Sequence, residues 1–277
     1  MEPRPEDALL SSVPPCTAVV VGASGGIGAA LVAHLLARPG VTRVVALARD
    51  MARLKAALAA AGAFADATAA SADAAWAQAD ERLSLARVDL ADEASIAQAA
   101  AGVAQSSAPP RLVIVASGRL HGGGLRPEKH WGALDAAALA QAFAVNATGP
   151  ALVAKHFLPL LPRQGKAVFA ALSARVGSIE DNRSGGWYAY RASKAALNMM
   201  IRTLAIELAR RAPQAACIGL HPGTVDTALS QPFQANVPPG KLFSPAQSAG
   251  YLLRVIDRIG PADSGNVFAW DGQRIPA

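Results

Sequence analysis

The turn Gly22-Ala23-Ser24-Gly25-Gly26-Ile27-Gly28 follows directly on an apolar, β-branched run at 17–21 and opens a helical pattern through Ile27, Leu31 and Leu35. Four glycines in seven residues let the backbone turn tightly and approach a ligand with no Cβ in the way. Strand, glycine-rich turn and helix in that order define a βα unit. Its helix N-terminus presents free N–H groups and a partial positive charge, which suit a pyrophosphate. Taken alone, the turn has a second explanation, tight packing of helix on strand. The helix ends at Pro39-Gly40, where a proline cannot continue it.

The unit then repeats. Strands are expected at 41–47, 85–88, 112–115, 166–172, 215–220 and 266–270, and helices at 51–60, 93–104 (behind an Asp92 cap) and 188–211. A further long helix carries Asn146 ahead of Gly149-Pro150. Alternating strands and helices imply βαβ crossovers and a doubly wound parallel α/β sheet, for which one domain over 17–277 suffices. Three segments interrupt the rhythm. Residues 1–16 are a proline-rich tail, expected to be flexible. The alanine-rich stretch 62–83 reads as a partly helical surface insertion. The proline-rich stretch 224–243 is too long for an ordinary αβ connection and reads as a substrate lid, with an unstructured insertion as the other option.

Composition narrows the function. Of 277 residues 52% are hydrophobic and 17% charged, enough apolar material for a large core. The net charge of +6 is scattered, and Arg210-Arg211 is the sole adjacent basic pair, so nucleic acid is not an expected partner. Cys16 and Cys217 make no disulfide framework and lack zinc-ligand spacing; both read as small buried hydrophobes. His121 and His221 flank the expected ligand edge of the sheet without a third ligand, so no metal is expected. No uninterrupted apolar run reaches the ~18 residues of a membrane helix. Residues 1–15 carry acids and prolines rather than a signal-peptide pattern, and a cytoplasmic protein is the expectation.

The end of the second strand bears on which dinucleotide fits. An acid there would bind ribose hydroxyls and repel a 2′-phosphate; this chain has Ala48-Arg49. A guanidinium at that tip favours NADP(H), with NAD(H) the other option and a solvated arginine the bland reading. Asp89 ends the third strand, where it can bond an adenine amino group or cap a helix. Tyr190 and Lys194 stand at i and i+4 on one helix face. An ammonium ~4 Å from the phenol, at an effective dielectric of ~20, would favour phenolate by about 4 kcal/mol and bring its pKa to ~7. Pro150 lacks the N–H that would bond the Asn146 carbonyl, leaving that oxygen to hold a water. Pro222-Gly223-Thr224-Val225-Asp226-Thr227 follows the sixth strand, where open α/β sheets bind ligands.

In this order and spacing, Gly22-xxx-Gly26-x-Gly28, Asp89, Asn146, Tyr190-xxx-Lys194 and Pro222-Gly223 resemble the short-chain dehydrogenase/reductase family over about residues 17–270. The segment 175–188 looks like its C-signal branch, related to the sniffer-type carbonyl reductases. The resemblance implies a Rossmann-type sheet of about seven strands and a homodimer or homotetramer built through the long helices. It implies cofactor contacts from Gly22, Ser24, Gly25, Gly26, Ile27, Gly28, Arg49, Asp89, Leu90, Tyr190, Lys194, Pro222, Gly223, Val225 and Thr227. It makes Tyr190 the acid/base, Lys194 its partner and ribose ligand, and Asn146 the support of a proton relay. The implied activity interconverts a small-molecule carbonyl and an alcohol, with neither nucleic acid nor membrane as partner. Two departures stand out. Val115-Ala116-Ser117-Gly118 replaces Asn-Asn-Ala-Gly, and the substrate-orienting serine, three before Gly177, is Ala174. Ser173, one position earlier, is the expected substitute, and Ser178 the other. A dinucleotide-binding signalling or sensor protein with little turnover is the rival reading.

Overall fold

The strongest signal in the chain is a period of two within its apolar runs, and it builds the sheet. In β1 (Cys16–Val21) Ala18 and Val20 point to one face and Val19 and Val21 to the other. The computed structural model describes residues 16–63, 76–78 (backbone only), 81–106 and 108–277. Of the expected N-terminal tail only Cys16 lies among them, and it opens β1.

After β1 come α1 (Gly26–Leu36), β2 (Val41–Ala48), α2 (Met51–Ala60), β3 (Trp76–Gln78), β4 (Leu83–Arg87), α3 (Glu93–Ala104) and β5 (Pro110–Val115). The second half holds α4 (Ala136–Phe143), α5 (Gly149–Phe157), β6 (Ala167–Leu172), α6 (Tyr188–Arg211), β7 (Ala215–His221), β8 (Thr224–Val225), β9 (Leu242–Phe243), α7 (Pro245–Arg258), β10 (Val267–Ala269) and β11 (Arg274–Ile275). The main sheet runs β11-β10-β7-β6-β5-β1-β2-β4-β3. Its seven inner strands are parallel, as expected, and the edges β3 and β11 pair antiparallel. The strand order reverses between β1 and β5, the crevice where such sheets bind ligands.

Each face has its own core. Leu31 and Leu35 of α1, Leu54 and Leu58 of α2 and Leu252 and Ile256 of α7 pack on one. Ile96 of α3, Val153 and Phe157 of α5 and Leu197 and Ile201 of α6 pack on the other. Cys16 and Cys217 are buried, and burial pushes their thiols up to about 11 and about 12, so neither is a ready nucleophile. Capping explains why α2 and α3 start where they do. Asp50 accepts the Arg53 N–H, and Asp92 accepts those of Ala94 and Ser95.

Three expectations need correction. Inside the stretch read as a partly helical insertion, Trp76–Gln78 is an edge strand and Leu83 begins β4; residues 64–75, 79 and 80 lie outside the described residues. For the stretch 224–243 the unstructured option falls, because parallel pairing of β8 with β9 joins its base and Gln231–Asn236 form a 3-10 turn. Finally, the helical run Ala136–Leu160 is long and apolar enough, by length and composition, to cross a membrane. The sequence reading counted uninterrupted apolar runs, which Asn146 and Thr148 break. Here its buried residues, including Ala147, Ala154 and Phe157, face the rest of the fold.

Candidate active site

The glycine turn is tight because its neighbours leave no room. Gly22 sits at φ 86°, and a Cβ there would meet Ser117 Oγ at 2.5 Å. A Cβ on Gly28 would run into the Gly22 carbonyl, so α1 packs on the turn only through glycine. The amides of Gly22 and Ala23 both donate to Leu47 O, which anchors the loop across β2. Gly25 provides no side-chain cap, so the first N–H groups of α1 have no partner within the chain's own helix. Thr227 packs beside this turn, its Cγ2 3.0 Å from where a Gly26 Cβ would be.

This loop floors a cleft of about 410 Å³. Gly22, Ser24, Gly25, Arg49, Asp89 and Leu90 line it, as the sequence reading expected of a dinucleotide site. Arg53, which no motif marked, joins Arg49 there, and neither guanidinium has an ion-pair partner among the described residues. Asp89 accepts the Ala91 N–H at 3.0 Å, and the cap of α3 is Asp92 instead. Pro222, Gly223 and Val225 stand back from the cleft. A Cβ on Gly223 would strike the Phe243 ring, and that ring packs on Tyr251 and Trp270. Ile27 packs partly into the core beneath α1.

Gly118 lines this cleft, and its Cβ position is 3.7 Å from Lys194 Nζ and 3.9 Å from Asn146 Oδ1. Asn146 is fully buried. Its Oδ1 accepts from Arg119 N–H at 2.8 Å, and its Nδ2 donates to Arg119 O at 2.9 Å and Ser193 Oγ at 3.1 Å. It thus ties the loop after β5 to α6. Around it the helix widens into a π turn, Ala144–Thr148, with Gly149 N–H reaching back to Ala144 O. Pro150 cannot donate to Asn146 O, and the turn forms where that donor is missing.

Lys194 is buried and donates to Leu172 O at 2.6 Å, with its Nζ 5.8 Å from the Tyr190 ring centroid. Burial lowers its pKa to about 7. Burial acts on Tyr190 in the opposite sense to the expected depression, pushing its hydroxyl up to about 12. In this state the pair is therefore a proton-holding phenol beside an amine that titrates near neutrality.

Ser173 Oγ donates to Asn198 Oδ1 at 2.6 Å, one helical turn beyond Lys194 and two beyond Tyr190. Ser178 Oγ donates to Ala277 O and accepts from Asp181 N–H, which ties the C-terminal residue to that loop. Both hydroxyls are engaged with structure. The environment of Tyr190 is instead aromatic. Trp187, at φ 52°, packs edge-on to Tyr190 (6.4 Å) and tilted on Phe233 (4.9 Å), and His121 meets Phe233 at 5.7 Å. His121 Nε2 lies 3.0 and 3.1 Å from the Ala228 and Leu229 carbonyls, which join the lid to the loop after β5. His221 lines neither cavity. Burial, with Arg175 nearby, lowers its pKa to about 4, and its Nδ1 has no partner.

The short chain dehydrogenase family profile matches residues 16–238. The chain belongs to that family. Among curated short-chain dehydrogenase relatives, the C-signal of Myxococcus xanthus is 39% identical over 145 residues, covering 52% of this chain and 82% of that protein. The NADPH-bound carbonyl reductase from chicken fatty liver superposes with TM-score 0.75 at 26% identity, covering 95% of this chain and 100% of that one. Carbonyl reductase Sniffer of D. melanogaster shares the fold, with TM-score 0.74 at 23% identity over 95% of this chain and 100% of that one. The short-chain dehydrogenase fold and the oxidoreductase class follow from membership. Of the motif residues that carried the resemblance, Lys194 and Asn146 lie near Gly118, and Gly22 and Asp89 line the cleft with it.

Proposed function

We propose that this short-chain dehydrogenase interconverts a carbonyl and an alcohol using NADP(H), with Tyr190 as the acid/base. One observation carries the proposal. Lys194 Nζ and Asn146 Oδ1 lie 3.7 and 3.9 Å from the Cβ position of Gly118, Lys194 Nζ is 5.8 Å from the Tyr190 ring, and Gly118 lines the same cleft as the glycine turn and two guanidinia that have no ion-pair partner among the described residues. The cleft fits a dinucleotide. The cradle tolerates no Cβ, the α1 amides are free for a pyrophosphate, and Arg49 and Arg53 suit a 2′-phosphate. A bound nicotinamide dinucleotide supplies or takes up the hydride.

The chain's own residues handle the proton. In reduction the carbonyl carbon gains hydride and the carbonyl oxygen takes a proton from Tyr190, which burial keeps protonated. Lys194, whose pKa burial lowers to about 7, can return that proton, and a water held at the carbonyl of Asn146, which Pro150 leaves without its helical donor, would carry it onward. The test is NADPH consumption with a panel of aldehydes and ketones. The unaltered protein turns over at least one of them, and Tyr190→Phe loses about 10²–10⁴-fold in kcat. Turnover that survives the substitution rules the mechanism out. A homodimer belongs to the same proposal, with the exposed Met199, Met200 and Ile206 of α6 as a face for a second copy.

A second reading, a dinucleotide-binding sensor with little turnover, is favoured by Ala174 and by the engagement of Ser173 and Ser178 elsewhere. Tight NADPH binding without turnover across the panel would select it.

A further inference from the structure

A second cavity, about 700 Å³, lies between the loop after β5, the start of α6 and the 3-10 turn of the lid. It meets the dinucleotide cleft at His121, which lines both. Its size suits a small organic molecule.

Its inner wall is aromatic, formed by Trp187 and Phe233 with His121 edge-on. Trp187 holds its ring there from a left-handed backbone position, φ 52°, that glycine favours and tryptophan does not. Two hydrogen bonds from the α6 start to Glu128 secure that geometry: Glu128 O accepts the Trp187 N–H at 2.5 Å, and Glu128 Oε2 accepts the Ala189 N–H at 3.2 Å. The rim is cationic. Arg126 and Lys129 line the cavity, are exposed, and have no ion-pair partner among the described residues. The cavity's own carboxylate, Glu128, is turned to the α6 N-terminus, where the helix dipole offsets its charge.

We infer that this cavity takes a carbonyl compound with a flat apolar body and an anionic tail, the body against Trp187 and Phe233 and a carboxylate at Arg126 and Lys129. Offset or edge-on ring contacts favour a planar group, and a guanidinium matches a carboxylate in two parallel hydrogen bonds. The inference rests on the carbonyl–alcohol reading and adds the substrate class to it.

The experiment compares 4-carboxybenzaldehyde with benzaldehyde, as kcat/KM with NADPH and as affinity by calorimetric titration. The carboxylated aldehyde is expected to be favoured about tenfold, mostly through KM, the scale two partly exposed ion pairs allow. The advantage shrinks as salt rises, because the rim is open to screening. Arg126→Ser with Lys129→Ser brings the ratio down to about 1. Equal affinities for the two aldehydes, or a preference that survives the double substitution, overturn the inference. If neither aldehyde is reduced, the titration still decides whether the rim selects an anion, and the carbonyl–alcohol reading falls only when the wider panel is left unreduced too.

Discussion

Lys194 shows how a single buried amine links chemistry to stability. Its pKa is lowered from 10.5 to about 7 by burial, so between those values the unfolded chain holds a proton that the folded chain has shed. Stability then rises with pH across that window, and the burial penalty is fully present below about 7. Tyr190 acts in the reverse sense. Raised from 10.0 to about 12, it holds its proton longer when folded, so its contribution is lost as pH rises through that range. Lys194→Met removes the first slope. The unaltered protein is expected to gain about 1–2 kcal/mol between pH 7 and 9 in denaturant titrations, and the variant to stay flat. Its absolute stability is a separate matter, because Leu172 O loses its donor at a cost of about 1–3 kcal/mol. A variant that keeps the pH-dependent gain would show that the amine is not the titrating group.

At the scale of elements, the N-terminus of α6 depends on a residue from another segment. Trp187 offers no side-chain cap, and Glu128 supplies it from the loop after β5. Glu128→Ala is expected to cost about 1–2 kcal/mol, seen as a fall of several degrees in Tm, with Glu128→Gln recovering much of it. Because Trp187 and Tyr190 sit on the same turn, kcat/KM should fall together with Tm in the alanine variant. This dependence also separates what was legible from what was not. The limits 51–60, 93–104 and 188–211 could be read because Ala/Leu-rich patterns meet local signals, such as the Asp92 cap. The glycine turn, Asn146, Tyr190 and Lys194 were legible because their spacing is local as well. Glu128, the left-handed Trp187, Arg53 and the orientation of Ser173 are set by contacts between distant segments, such as Ser173 with Asn198, and carry no local pattern. The depressed phenol was expected from a pair distance alone; the burial of both groups, which reverses the sign for Tyr190, is a property of the packed molecule.

For the molecule as a whole, cofactor preference should appear as stability. A ligand that binds only the folded chain adds RT ln(1 + [L]/Kd), about 2.7 kcal/mol at a hundredfold excess over Kd. For a domain of this size that corresponds to a Tm rise of roughly 5–10 °C. Both strand tips beside the glycine turn contribute to the cleft: Arg49 follows β2, Arg53 lies on α2, and Asp89 and Leu90 follow β4. The residue directly after β2 is Arg49 rather than an acid, and Asp50 beside it is engaged as the cap of α2, so on the proposed reading NADH has the weaker hold there, whereas the 2′-phosphate of NADPH would face two guanidinia. Thermal melts at equal cofactor concentrations should therefore show a larger rise with NADPH than with NADH. Arg49→Ser combined with Arg53→Ser should remove most of that difference while leaving the NADH shift, which depends on the α1 amides and the glycine turn. Equal shifts in the unaltered protein would mean that the arginines are solvated surface charges and that the cleft does not distinguish the two dinucleotides.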